Sequence, residues 1–175
     1  MIRSFNGKTP QIHESAFVSE AAYVIGDVVI GENSSVWPGA VVRGDLGKIT
    51  IGRNSVIEDN CVIHSGTPAF PPNLDVTIGD NVIMGHAAVS NAYRIGNNVI
   101  IGMNSTLLHD VEIDDYAIIA AGCVVKEKMK IPEKSFVVGV PAGIKGKISK
   151  EQLWWSQNSP KIYQELSQKY KKEGL

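Results

Sequence analysis

The chain has 175 residues, with 17 basic and 18 acidic side chains and a formal net charge of -1. Such a length suits one domain with or without an appendage, and the even charge excludes a general nucleic-acid binder, which needs a basic surplus. Two cysteines exclude a disulfide scaffold and a cysteine-based zinc cage, and no apolar run reaches the roughly 18 residues of a membrane span. The first residues hold no signal-peptide core, so a cytoplasmic location is expected. The 17 glycines stand against only 7% aromatics, as in a chain that turns often and regularly.

From Ile12 the chain carries a large aliphatic every sixth residue: Ile12, Val18, Val24, Ile30, Val36, Val42. After a break expected to be a short loop, the ladder continues as Ile51, Ile57, Ile63. After a longer one it runs Ile78, Met84, Ser90, the single polar interruption. Shifted by one residue, it resumes as Ile95, Ile101, Leu107, Ile113, Ile119, Val125, Ile131, Val137. A period of six fits neither a helix nor a simple strand. A ladder of smaller residues lies four positions after each aliphatic, among them Ala16, Ala40, Ser55, Cys61, Ala88 and Cys123. Three hexads per turn predict a parallel β-helix with three flat faces. The glycines that follow the large residues (Gly31, Gly52, Gly79, Gly96, Gly102) are expected to supply its corner backbone. Both cysteines take the small inward position and read as buried, inert thiols.

The repeat ends near Val140-Pro141. Ser149 with Gln152 forms a capping box that opens a helix through Trp154 and Trp155. Ser159-Pro160 reads as the start of a second helix through Ile162, Leu166 and Tyr170. Trp154, Trp155, Ile162 and Leu166 are expected to dock on the coil. Residues 1–145 thus form the β-helix domain and 146–175 a C-terminal helical segment packed on it.

The third hexads of successive turns begin at Val42, Ile63, Ser90 and Leu107. Their outward neighbours Arg43, His64, Asn91 and Leu108 therefore stack in one column. His86 follows Met84 in a second hexad, on another face. One chain cannot join His86 to His64 in this register, whereas a threefold assembly can. His13 and His109 lie outside the column and read as surface residues. Tyr93 and Arg94, at the register shift, are candidates to shape a pocket. The segment from Ser65 to Asp75, with Pro68, Phe70, Pro71 and Pro72, reads as a lid or as a plain crossing of the coil.

Val42-Arg43-Gly44-Asp45, Glu58-Asp59-Asn60, Val62-Ile63-His64, Gly85-His86 and Ile101-Gly102-Met103 resemble the gamma-class carbonic anhydrases. The resemblance implies a left-handed parallel β-helix, a homotrimer, and a zinc or iron site at each subunit interface that hydrates carbon dioxide to bicarbonate. It makes His64 one metal ligand and His86 the ligand offered by the neighbouring subunit. The third ligand position falls on Asn91, a weak neutral oxygen donor better suited to calcium or magnesium than to zinc. Asn91 reads either as that ligand or as a polar corner residue. Arg43 and Asp45 match the family's buried pair, with Asp59 as partner acid, and interface ion pairing is their expected role. Glu58 stands where the family has a glutamine beside the metal-bound water; a proton acceptor, a substitute ligand and a structural acid are all open to it. The family's helix tyrosine is expected near Pro160, and the segment Leu46-Gly47-Lys48 lacks the acidic proton shuttle of some members. The period-six lattice is equally that of hexapeptide-repeat acyltransferases, and a non-catalytic trimeric binding protein is a third reading.

Overall fold

A computed structural model describes residues 1–67 and 74–175. The ladder folds into a parallel β-solenoid of short strands stacked on three faces. The first face carries Phe17–Val18, Ser35–Val36, Val56–Ile57, Ile83–Met84, Ile100–Ile101, Ile118–Ile119 and Ser135–Gly139, and the antiparallel strand Ala142–Lys147 closes it. On the second, Val62–His64, Val89–Ser90, Thr106–Leu107 and Val124–Val125 follow the first halves of two long strands, Tyr23–Ile30 and Val41–Ile51. The third joins the second halves of those strands to Val76–Ile78, Arg94–Ile95, Glu112–Ile113 and Lys130–Ile131.

Each face presents one column of aliphatics to the axis. On the third face Ile12, Ile30, Ile51, Ile78, Ile95, Ile113 and Ile131 pair in register. On the second, Ser90 interrupts Val24, Val42, Ile63, Leu107 and Val125 and is fully buried. Removing each such aliphatic side chain from water contributes about 1.5–3 kcal/mol, so the columns are the main source of stability. The smaller ladder fills the remaining space. Where it is serine, the hydroxyl donates to the next coil, as from Ser34 to the Gly52 carbonyl at 2.6 Å and from Ser55 to that of Gly79 at 2.7 Å. Cys61 and Cys123 are buried, and burial pushes the Cys61 thiol up to about 12.

Four local expectations change. The glycines after the large aliphatics do not make the left-handed corners. Many of those are asparagines, among them Asn33, Asn54, Asn81, Asn98 and Asn104, with φ between 55° and 58°, a region that asparagine enters more easily than other residues with a side chain. The glycines let successive coils touch: a Cβ on Gly52 would lie 2.4 Å from Asp80 Oδ1 and 2.7 Å from the Gly79 carbonyl. The expected short loop before Ile51 is instead continuous strand from Val41 to Ile51, because the neighbouring strand Tyr23–Ile30 rounds the same corner beside it.

The third and fourth changes concern the C-terminal segment, which is one helix, Lys150–Glu173, with Pro160 inside it. The capping box at Ser149 is present, and Gly174 ends the helix in the left-handed conformation. Ser156, Ser159 and Pro160 are buried against the first face, and that packing carries the helix past the proline. The docking stripe is therefore not the tryptophans. Tyr163 and Tyr170 pack with Phe17, Trp37, Val56 and Ile83, the Trp37 and Tyr170 rings 5.1 Å apart between centroids. Trp154, Trp155 and Ile162 are more than half exposed. Among the described residues no helix is long and apolar enough to cross a membrane.

Candidate functional site

The register stacks the predicted column. Arg43 pairs with His64, and Ser90 with Ile63, which sets Asn91 one coil from His64. Asn91 Nδ2 donates to the His64 carbonyl at 3.4 Å. His64 Nε2 lies 3.0 Å from Asp45 Oδ1, and Arg43 Nη1 donates to Asp45 Oδ2 at 2.7 Å. Partial burial raises the Asp45 carboxyl, but the hydrogen bonds from His64 and Arg43 together outweigh it and hold the group below the usual carboxylate range. Arg43 and Asp45, expected to pair across an interface, already pair within the chain, although Arg43 remains 45% exposed.

A second cluster forms where the chain leaves the first face. The Glu58 side chain, 4% exposed, accepts from the His86 backbone N–H at 2.8 Å and faces His86 Nε2 at 3.1 Å. His86 Nδ1 faces Asp59 Oδ2 at 2.9 Å. The Tyr163 hydroxyl also hydrogen-bonds Glu58; its burial, then that bond, push the phenol well above its ordinary range and keep it a donor. Pro160, where the resemblance expects a helix tyrosine, is followed three residues and nearly one turn later by Tyr163 on the same helix.

His64 ends a strand of one sheet and His86 follows a strand of the other, so the two stand apart, as the register requires. Arg94, a candidate pocket residue, pairs instead with Asp114 and, at 3.9 Å, with Glu112 on the next coil. Of the candidate lid, residues 68–73 lie outside the described residues.

The donors do not fit a tightly held zinc. Among the described residues no group of three His, Cys, Asp or Glu side chains stands ready to hold a metal ion within one chain. Both ring nitrogens of His86 face carboxylates, so ligation by His86 would cost it one of those contacts. Glu58, a possible substitute ligand, is engaged by His86 and Tyr163. Asn91 supplies only an amide oxygen.

A period-six solenoid with two separate polar corners has counterparts among known proteins. The family model described as "Bacterial transferase hexapeptide (six repeats)" matches residues 9–44 and 93–127. Carnitine operon protein CaiE of Escherichia coli K12 is 31% identical over 163 residues, which cover 93% of this chain and 81% of CaiE. The chain belongs to the hexapeptide-repeat family. Gamma carbonic anhydrase 2, mitochondrial, of Arabidopsis thaliana is 38% identical to this hexapeptide-repeat protein over 162 residues. That match takes in 92% of the chain but only 58% of the plant protein's length. A crystal structure of a hexapeptide transferase family protein from Anaplasma phagocytophilum superimposes with a TM-score of 0.90 at 31% identity, covering 97% of both chains. The resemblance read from Arg43-Gly44-Asp45, His64 and Gly85-His86 thus extends along nearly the whole hexapeptide-repeat chain.

Proposed function

We propose that this chain is a gamma carbonic anhydrase-like protein whose site forms between copies in a trimer and has lost much of its hold on metal. One copy contributes His64 and Asn91, and its neighbour contributes His86. The separation of those residues onto different corners of one chain carries the reading, since each corner alone is too poor in donors. Asp45 holds the His64 ring by one nitrogen, and Glu58 with Asp59 holds His86 by both. Reversible hydration of carbon dioxide at such a site is slow or lost.

The test is elemental analysis of aerobic and anaerobic preparations, with stopped-flow hydration, on the unmodified protein and on Asn91→His. The unmodified protein should carry far less than one zinc or iron per chain. Asn91→His should tighten zinc by at least about tenfold, because an imidazole replaces an amide oxygen. Tightly held zinc and rapid hydration in the unmodified protein would refute the weakened site. No metal in either form would favour a non-catalytic trimeric binding protein. The family model's transferase description and the Anaplasma relative favour a second reading, an acyltransferase, for which turnover of acetyl-CoA is the discriminating assay.

A further inference from the structure

The helix does not lie flush on the first face along its whole length. Beside Glu58 it leaves a cavity of about 260 Å³, walled by Ile83, Ile100, Met103 and Trp155 and floored by Glu58 and Tyr163. Ile100 and Trp155 also line a second cavity of about 450 Å³ nearer the start of the helix, so the two adjoin as one apolar trough. Among the described residues that line the inner cavity the one carboxylate is Glu58, almost wholly buried, while Glu151 lines the outer cavity near the start of the helix. A carboxylate offers about four acceptor positions. The His86 backbone and ring and the Tyr163 hydroxyl take up to three of them.

An apolar trough ending on a buried acid disfavours anions, bicarbonate included, because the basic group beside Glu58, the His86 ring, is already set between two carboxylates and has no ring nitrogen left for a second negative charge. It favours a ligand with an apolar body and a cationic N–H head, which can donate to Glu58 while its body lies against Ile100 and the Trp155 ring. We infer that this trough is a binding site for a small alkyl ammonium ion, its nitrogen on Glu58 and its chain between the helix and the first face. The site shares Glu58 with the proposed interface site but needs neither a metal nor carbon dioxide.

The probe is n-butylammonium, titrated at fixed pH and constant ionic strength into the full-length, chelator-treated protein. Binding is followed by tryptophan fluorescence and by calorimetry, with n-butanol and n-butyrate as comparison ligands. Saturable binding of n-butylammonium is expected, at least about tenfold tighter than either comparison ligand, since a hydrogen bond to a charged group is among the stronger ones. Glu58→Gln, which keeps the side-chain shape, should abolish that preference. Met103→Trp, which fills the mouth from an exposed position, should weaken all three ligands together. Equal affinity for butanol and butylammonium, an unchanged preference in Glu58→Gln, or no saturation by any ligand would each overturn the assignment. Metal is stripped in every arm, so these outcomes are independent of the zinc and hydration results.

Discussion

Gly52→Ala adds one methyl group to the surface between two coils. The new carbon would sit 2.4 Å from Asp80 Oδ1 and 2.7 Å from both the carbon and the oxygen of the Gly79 carbonyl. Asp80 cannot simply swing away, because its Oδ1 accepts the Arg53 backbone N–H at 2.7 Å and its Oδ2 pairs with the Arg53 guanidinium. The Gly79 carbonyl is backbone of the adjoining coil. Relief therefore requires the coils to part, and forced insertion into a packed interior costs about 1–3 kcal/mol. For a chain of this size each kcal/mol lowers the melting midpoint by about 2–4 °C, so a fall of roughly 2–12 °C is expected. Gly143→Ala is the control: a Cβ there meets nothing within 4 Å, and its φ is not left-handed. That change should be neutral or stabilise by up to about 1 kcal/mol through the unfolded chain. Thermal and urea unfolding followed by circular dichroism would measure both. A Gly52→Ala protein as stable as Gly143→Ala would refute the close-approach account and return the glycines to a conformational role.

The remaining predictions concern the two clusters and the charged surface. Tyr163→Phe should destabilise the fold by about 1–3 kcal/mol, because buried Glu58 loses a donor, and Glu58→Gln in the same chain should change that cost in a double-mutant cycle. Burial raises the Asp80 carboxyl, but the Arg53 backbone and guanidinium together outweigh it and depress the folded pKa. The stabilisation from Asp80 is therefore present above the ordinary aspartate pKa and is lost as the pH falls through the depressed folded value. Asp80→Asn should make the acid limb of a stability–pH profile shallower. With the Cys61 thiol pushed up to about 12 and both cysteines buried, a disulfide reagent at pH 8 should label neither in the native protein and both after unfolding.

Legibility followed repetition. The columns from Ile12 to Val137 and the stacking of Arg43, His64 and Asn91 could be counted from the sequence because strand register in a solenoid is arithmetic. Features that depend on neighbouring coils could not be counted. Gly31-Glu32-Asn33 and Gly52-Arg53-Asn54 contain both a glycine and an asparagine, and only the packing of adjacent coils assigns contact to one and the left-handed turn to the other. The helix carries two apolar stripes. Its tryptophans stay more than half exposed at the edge of the contact, because Ser156, Ser159 and Ser167 allow closer approach to the solenoid than Trp154 or Trp155 would. Tyr163 was missed for that reason, since its role depends on which stripe turns inward. The partnering of Glu58, His86 and Asp59 likewise joins turns 28 residues apart and leaves no local motif.

The helix runs back along the solenoid until Gln168 donates to the Ser15 carbonyl and Lys171 to those of Glu14 and Ala16. In a stack of coils each layer braces only the next, so melting would start at an outermost layer and spread inward. These contacts fasten the opening layer to a segment more than 150 positions away. What would otherwise unzip layer by layer is strapped end to end. The first coil cannot peel off until the strap lifts, so the protein should come apart in one cooperative step.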